Sequence, residues 1–284
     1  AVGPTVARGR GGRADGRACG PDESSGAAED PAQWRLSGTR MRHLASLLPP
    51  NAVTPLYLDN HLLVVNKPAG MLSQEDKTGD PDLVTLAKAY LKERFDKPGN
   101  VFVGLVHRLD RPTSGVVVLA RTSKAAARLS RQFQQRGPDK TYLAVLDGRL
   151  GDSPDWMELE DGILERDGGG VRVVPVGSTG SKAARLRVRM LAADRTRSLV
   201  EVELLTGRKH QIRAQLAARG ASVLGDFRYG RPTPFADGHG IALHAVRLTV
   251  EHPTRKEAMT FVAKPPVSWR GHFDRAVAMA VGAR

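Results

Sequence analysis

The run Val116-Val117-Val118-Leu119-Ala120 is apolar at every position, short, rich in Val and bounded by turn residues. Such a run reads as a buried strand. Immediately before it stands the polar decapeptide Val106-His107-Arg108-Leu109-Asp110-Arg111-Pro112-Thr113-Ser114-Gly115. It is therefore a loop at the mouth of a core strand, where a rigid scaffold holds a side chain in place. The loop sets one carboxylate, Asp110, among His107, Arg108 and Arg111. Two readings stand at this point. Asp110 is a reactive group, or it caps the turn and pairs with a neighbouring Arg, as structural ion pairs do. A kinase catalytic loop also combines His, Arg and Asp. It needs Asp directly after Arg, a following Asn, a Gly-rich phosphate loop and Asp-Phe-Gly. His107-Arg108 is followed by Leu109, and no such set of elements accompanies it.

The 284 residues suffice for a substantial core in one large domain or two smaller ones. The longest apolar runs fall short of the ~18 residues that span a bilayer. A single cysteine, Cys19, excludes a disulfide framework and a multi-cysteine zinc site. An intracellular, cytoplasmic location is expected, or an organellar one if residues 1–40 act as a transit peptide. Lys and Arg number 43 against 30 Asp and Glu, for a net charge of +13. Residues 1–50 hold seven Arg and five acidic residues, so +2 belongs there and +11 to the rest. Excess charge in the folded part points to a polyanionic partner, above all nucleic acid.

Residues 1–40 have few large apolar side chains and are expected to be disordered. Residues 1–53 are taken as a Gly/Arg-rich N-terminal segment and 54–284 as the catalytic domain. Met41 onward is expected to be the complete enzyme. Leu56 to Asn66 reads as strand, Asp-Asn turn and strand, with Lys67 at its end. Asp82 is expected to cap a helix carrying Leu83, Leu86, Ala87, Tyr90, Leu91 and Phe95, ended by Pro98-Gly99. Thr122 or Ser123 caps a basic helix with Ala126, Leu129 and Phe133 on one face and Lys124, Arg128, Arg131 and Arg136 around the rest. Lys140 to Leu146 alternates as a strand. Residues 151–182 read as short strands and loops. Ala184 to Met190 and Ser198 to Leu205 alternate around a turn near Asp194. Thr206 to Gly220 reads as a helix whose N-terminal dipole favours an anion, with Gly220 as its C-terminal cap. Ile241 to Val250 and Ala258 to Val262 form a last hairpin, and 272–281 a terminal helix. The sum is an α+β fold, a mainly antiparallel sheet of mixed order with flanking helices.

His-Arg-Leu-Asp-x-x-Thr-Ser-Gly at 107–115 resembles the active-site motif of RNA pseudouridine synthases of the RluA type. Further stretches resemble that family in the same order: Asn66 to Gly70, Lys140-Thr141-Tyr142, Thr206 to Arg213, Leu224-Gly225-Asp226 with Tyr229-Gly230, and Leu243-His244-Ala245 through His252-Pro253. The likeness spans 54–266. It implies conversion of uridine to pseudouridine within structured RNA, ribosomal or transfer. The N1 bond to ribose is broken and the base rejoined through C5. No redox change occurs and no group is carried away, so no metal or other cofactor is implied.

By this resemblance Asp110 is the catalytic aspartate. It would attack the anomeric carbon, add to uracil C6, or take a ribose proton. An enclosed carboxylate needs a compensating cation, and Arg213 matches the family's basic partner. Tyr142 matches the aromatic that packs on the target base, and Arg108 the arginine that fills the space left by a flipped uridine. His107 and Lys67 are assigned to shaping the site, and Arg208 to binding substrate. No second carboxylate stands beside Asp110 in sequence, as the paired acids of most glycosidases would require. The chain resembles compact members without a separate N-terminal RNA-binding domain. A monomer with no membrane association is expected. The rival readings are a catalytically silent RNA-binding or ribosome-assembly protein on the same fold and a hydrolase of a nucleoside-like bond, for which a single carboxylate speaks less well.

Overall fold

The computed structural model describes residues 53–282 apart from 136, 152–153, 237 and 239. The expectations for residues 1–52, and the place of Arg136, lie outside the described residues. Twelve strands join in one sheet: β1 (Pro55–Leu58), β2 (Leu62–Lys67), β3 (Gly104–Leu105), β4 (Ser114–Ala120), β5 (Asp139–Asp147), β6 (Met157–Glu165), β7 (Val171–Val174), β8 (Lys182–Ala193), β9 (Arg197–Leu204), β10 (Ser222–Val223), β11 (Leu243–Glu251) and β12 (Ala258–Val262). The main path runs β1-β2-β4-β11-β5-β9-β8-β6-β7, with β3, β10 and β12 attached at β4, β5 and β11. Every strand pair is antiparallel except β4–β11. Among the described residues four α-helices, α1 (Leu83–Arg94), α2 (Ser123–Gln134), α3 (Gln211–Ala217) and α4 (Asp274–Gly282), accompany the sheet and make this the α+β fold expected of the sequence.

β4 is buried at all seven positions because both faces are covered. On one face Val117 and Leu119 pack with Leu63 and Val65 of β2 and with Leu83, Ala87 and Leu91 of α1. On the other, Val116, Val118 and Ala120 meet Leu62, Val64 and the Ala125 and Leu129 side chains of α2. The helix starts are local. Asp82 accepts hydrogen bonds from the Val84 and Thr85 amides, and Thr122 from that of Ala125, caps that contribute typically ~1 kcal/mol each. α1 stops at Phe95, before Pro98-Gly99. The Asp194 carboxylate closes the β8–β9 turn on the Thr196 and Arg197 amides.

Two stretches differ from expectation. Residues 157–165 form a nine-residue strand, because β6 lies along β8 from Met157 to Ile163. The helix expected across 206–220 is confined to Gln211–Ala217. Thr206 to His210 instead folds as a tight loop around the Gln211 side chain. Gln211 Oε1 accepts from Thr206 Oγ1 at 2.8 Å and the Arg208 amide at 3.0 Å, while Nε2 donates to the Arg185 carbonyl at 3.0 Å. A single amide side chain thus replaces the first helical turn.

Candidate active site

Register brings the singled-out residues into line. Lys67 on β2 lies opposite Gly115, Gly115 opposite Ala245, Ala245 opposite Tyr142, and Tyr142 opposite Val202. Paired residues share a face of the sheet, so Lys67, Gly115 and Tyr142 stand in one row on the face that α1 covers further along. Gly115 makes the row possible. Its φ is +125°, and a Cβ there would sit 2.3 Å from the Ala245 carbonyl oxygen, so only glycine lets β4 and β11 approach this closely.

The loop that carries Asp110 is clamped at each residue around it. Ser73 Oγ donates to the Leu109 carbonyl at 2.8 Å and accepts from the Leu109 amide at 3.3 Å. The Arg111 carbonyl accepts from the Gly70 amide at 2.8 Å and from Lys67 Nζ at 3.2 Å. The Arg111 side chain holds the Gly70 carbonyl and Asp80. Pro112 accepts from the Ile241 amide, and Thr113 donates to the Asp110 carbonyl. The Asn66-Lys67-Pro68-Ala69-Gly70 stretch is therefore a brace for the Asp110 loop. Lys67 itself is fully buried and also donates to the Pro68 and Met71 carbonyls. Burial pushes its ammonium down to about 7, with the Asp110 charge opposing the shift and Arg111 adding to it.

Arg213 comes from α3, whose Ile212 and Leu216 are anchored in the core. Its Nη1 donates to Asp110 Oδ2 at 2.9 Å, while Nε and Nη2 close on the two oxygens of buried Asp226 at 2.6 and 2.9 Å. Burial opposes the Arg213 charge, but the hydrogen bonds and charges of Asp226 and Asp110 outweigh it and hold the guanidinium above its ordinary value. The Arg213 side chain is 6% exposed and that of Asp110 26%. Tyr142 is buried, and its hydroxyl forms no hydrogen bond with the described residues. Burial and the Asp110 charge push its phenol up, so it is a neutral ring beside the carboxylate.

Not every residue of interest joins this cluster. His107 stacks on Phe133 of α2 at 4.5 Å and accepts from the Val118 amide at 3.0 Å. That contact is with the layer on the opposite face of the sheet from Tyr142. Burial and the Lys140 charge push His107 down to about 3, so it is a neutral strap. Arg208 instead donates to the Ala183 carbonyl on β8 at 2.9 Å. Arg108 is exposed and has no hydrogen-bond or ion-pair partner among the described residues. No group of His, Cys, Asp or Glu suited to a metal occurs among the described residues.

Three participants escaped sequence reasoning: Asp226, His210 and Tyr229. His210 Nε2 lies 3.8 Å from Asp110 Oδ2, and its Nδ1 lies 2.7 Å from the Tyr229 hydroxyl. Asp226 and Tyr229 sit in the Leu224 to Gly230 stretch, noted above only as family-like. An acidic residue one place after glycine in a loop was the available signal, but nothing in sequence tied it to Arg213.

Comparison with known proteins identifies the family and the fold. The family model described as RNA pseudouridylate synthase matches residues 61–218. The dual-specificity RNA pseudouridine synthase RluA of Haemophilus influenzae is 35% identical over 222 residues, covering 74% of this chain and 91% of the relative. Ribosomal large subunit pseudouridine synthase D of Zymomonas mobilis is 34% identical, covering 74% and 68%. Human RNA pseudouridylate synthase domain containing 4 shares the fold, with a TM-score of 0.63 at 24% identity over 86% of this chain and 97% of that one. The chain belongs to the RNA pseudouridine synthases, isomerases whose substrate is uridine within RNA. Within that family it is of the RluA type. No helix among the described residues is long and apolar enough to cross a membrane.

Proposed function

We propose that Asp110 is the catalytic carboxylate, acting on a uridine in structured ribosomal or transfer RNA. The observation that carries the assignment is the 2.9 Å contact from buried Arg213 to an Asp110 side chain still open to solvent. A fixed cation offsets the cost of enclosing a carboxylate, and the open side admits substrate. Isomerisation breaks N1–C1′, forms C5–C1′, releases the C5 proton and returns a proton to N1. It balances without oxidant or carrier. Asp110 suits attack on C1′, addition to C6 and removal of a ribose proton alike. Tyr142 stacks on the flipped uracil, and the unpartnered Arg108 fills the gap left in the RNA. Lys67 and His107 act by fixing the loop and strand, and Arg208 contributes positive charge to phosphate binding. Relatives named for dual specificity and for the large ribosomal subunit support one or both RNA classes. A monomer acting in the cytoplasm fits such a substrate.

The test uses RNA whose uracils carry tritium at C5 and a second label in the ring. The wild-type protein should release tritium to water and yield pseudouridine without free uracil. Asp110→Asn should abolish both signals while RNA affinity, which rests mainly on phosphate contacts, stays within a few-fold. Turnover by the Asn variant, in protein free of deamidation, refutes the role. Free uracil would mark a hydrolase, and unaltered RNA a silent binder.

A further inference from the structure

Asp110 is addressed on one oxygen only. Arg213 Nη1 at 2.9 Å and His210 Nε2 at 3.8 Å both approach Oδ2. No donor among the described residues reaches Oδ1. His210 is held for this task by two independent features. Its backbone is left-handed, with φ +52° and ψ +22°, a conformation that costs a non-glycine residue free energy and persists only where the surroundings enforce it. Here the enforcing group is the Gln211 amide, which closes the loop from Thr206 onward. The second feature is Tyr229, whose hydroxyl accepts from the Val171 amide at 2.9 Å and lies 2.7 Å from His210 Nδ1. Val171 takes one lone pair of the phenolic oxygen, and donation from the phenol to Nδ1 is the favoured arrangement, because the opposite tautomer would turn a bare Nε2 lone pair toward the Asp110 carboxylate. A neutral imidazole that accepts at Nδ1 carries its proton on Nε2, the nitrogen that faces Asp110.

We propose that His210, fixed in one tautomer by Tyr229, is a positioning residue that together with Arg213 holds Oδ2 of Asp110 and leaves Oδ1 to meet the uridine. The inference rests on the assignment of Asp110 made above. The charged and titratable groups around the imidazole are Asp110, Arg213, Arg228, Lys209 and Tyr229. Burial, with Arg213, Arg228 and Lys209, pushes His210 down against the pull of Asp110, which agrees with a neutral ring. At 3.8 Å the contact is longer than a hydrogen bond. Such contacts in an unliganded site tighten when substrate arrives, so the inference expects Nε2–H to close on Oδ2 in the RNA complex.

The experiment measures KM and kcat by tritium release for His210→Ala, His210→Gln and Tyr229→Phe, beside wild type and Asp110→Asn. Misplacement of a reacting group by about 1 Å costs up to ~100-fold in rate. His210→Ala should therefore lower kcat by ~10–100-fold with KM within a few-fold. Gln places an N–H near the position of Nε2 and should recover most of the loss. Tyr229→Phe frees the tautomer and should lower kcat by less than His210→Ala does. Wild-type kcat in His210→Ala overturns the proposal, as does a Gln variant no better than Ala. If His210→Ala fails to fold, Tyr229→Phe decides, and wild-type kcat there overturns the proposal. Turnover by Asp110→Asn would instead overturn the assignment of Asp110, so the two failures are distinguishable.

Discussion

Arg213 grips Asp226 with two of its nitrogens, at 2.6 and 2.9 Å, and only the remaining one reaches Asp110. The buried carboxylate is thus the anchor of the arginine, and the half-exposed one is its client. Asp226 is itself fixed, its Oδ1 accepting from the Arg228 and Tyr229 amides. An arginine tied at two points turns little when substrate enters, which keeps the catalytic carboxylate in a constant field.

Asp226→Asn should therefore damage the site although Asp226 reaches Asp110 only through Arg213. The change breaks the buried ion pair and leaves Asp110 as the carboxylate still bonded to Arg213, so the cost should be a few kcal/mol at most, below the ~3–5 kcal/mol of a fully uncompensated buried charge. Urea denaturation should show that loss, and tritium release should fall with it. Unchanged stability would mean that Asp110 alone compensates Arg213.

Gly115→Ala should be among the most damaging single-methyl changes in the chain. The new Cβ meets backbone of β11, not a movable side chain, so the cost belongs at the upper end of the ~1–3 kcal/mol for overpacking, or above it. Thermal unfolding of the variant tests this. A melting temperature equal to wild type would show that β4 and β11 can separate.

Acid should destabilise the protein through two neutral histidines. Buried His244 bonds Ser114 Oγ at 2.8 Å and the Ala263 carbonyl at 3.0 Å, and burial pushes it down to about 4 with the carbonyl opposing. His107 lies at about 3. Both folded values are depressed below 6.5, so between these values the unfolded chain binds more protons and stability falls as pH falls. Each contributes a slope of up to about 1.4 kcal/mol per pH unit. Denaturation of His107→Phe across pH 6.5 to 4 should show a shallower slope than wild type, whatever its absolute stability. An equal slope would place the proton uptake elsewhere.

Tyr142 and Arg108 should separate by the RNA used. Tyr142→Ala should weaken binding of an RNA with an extruded uridine by ~1–3 kcal/mol, the usual worth of stacking on one base, and Tyr142→Phe should not. Arg108→Ala should leave protein stability within ~0.5 kcal/mol, since the side chain is exposed and unpartnered. Its activity should fall on structured RNA more than on an unstructured strand. Equal losses on both would assign Arg108 to phosphate binding alone.

What the sequence determined by itself was local. Val116 to Ala120 can only be a covered strand, Asp82 and Thr122 mark helix starts, and Asp194 marks a hairpin turn. Each of these signals lies within a few residues of the element it predicts. The motifs also identified Asp110, Tyr142 and Arg213 as residues of interest, though not their mutual geometry. Tertiary structure decided the rest. Arg213 meets Asp110 across 103 positions and Asp226 across 13, and neither contact exists until α3 docks on the sheet. His107, the immediate neighbour of Arg108 in the same motif, is turned to the opposite layer by the Val118 amide and the Phe133 ring. Lys67 became a buried brace because β2, β4, β11 and β5 align in a single register, one of whose pairings is parallel. Sequence spacing cannot encode that alignment. It arises where close backbone approach at Gly115, burial of both sheet faces and hydrogen bonding of the enclosed Lys67, Arg213 and Asp226 are satisfied together.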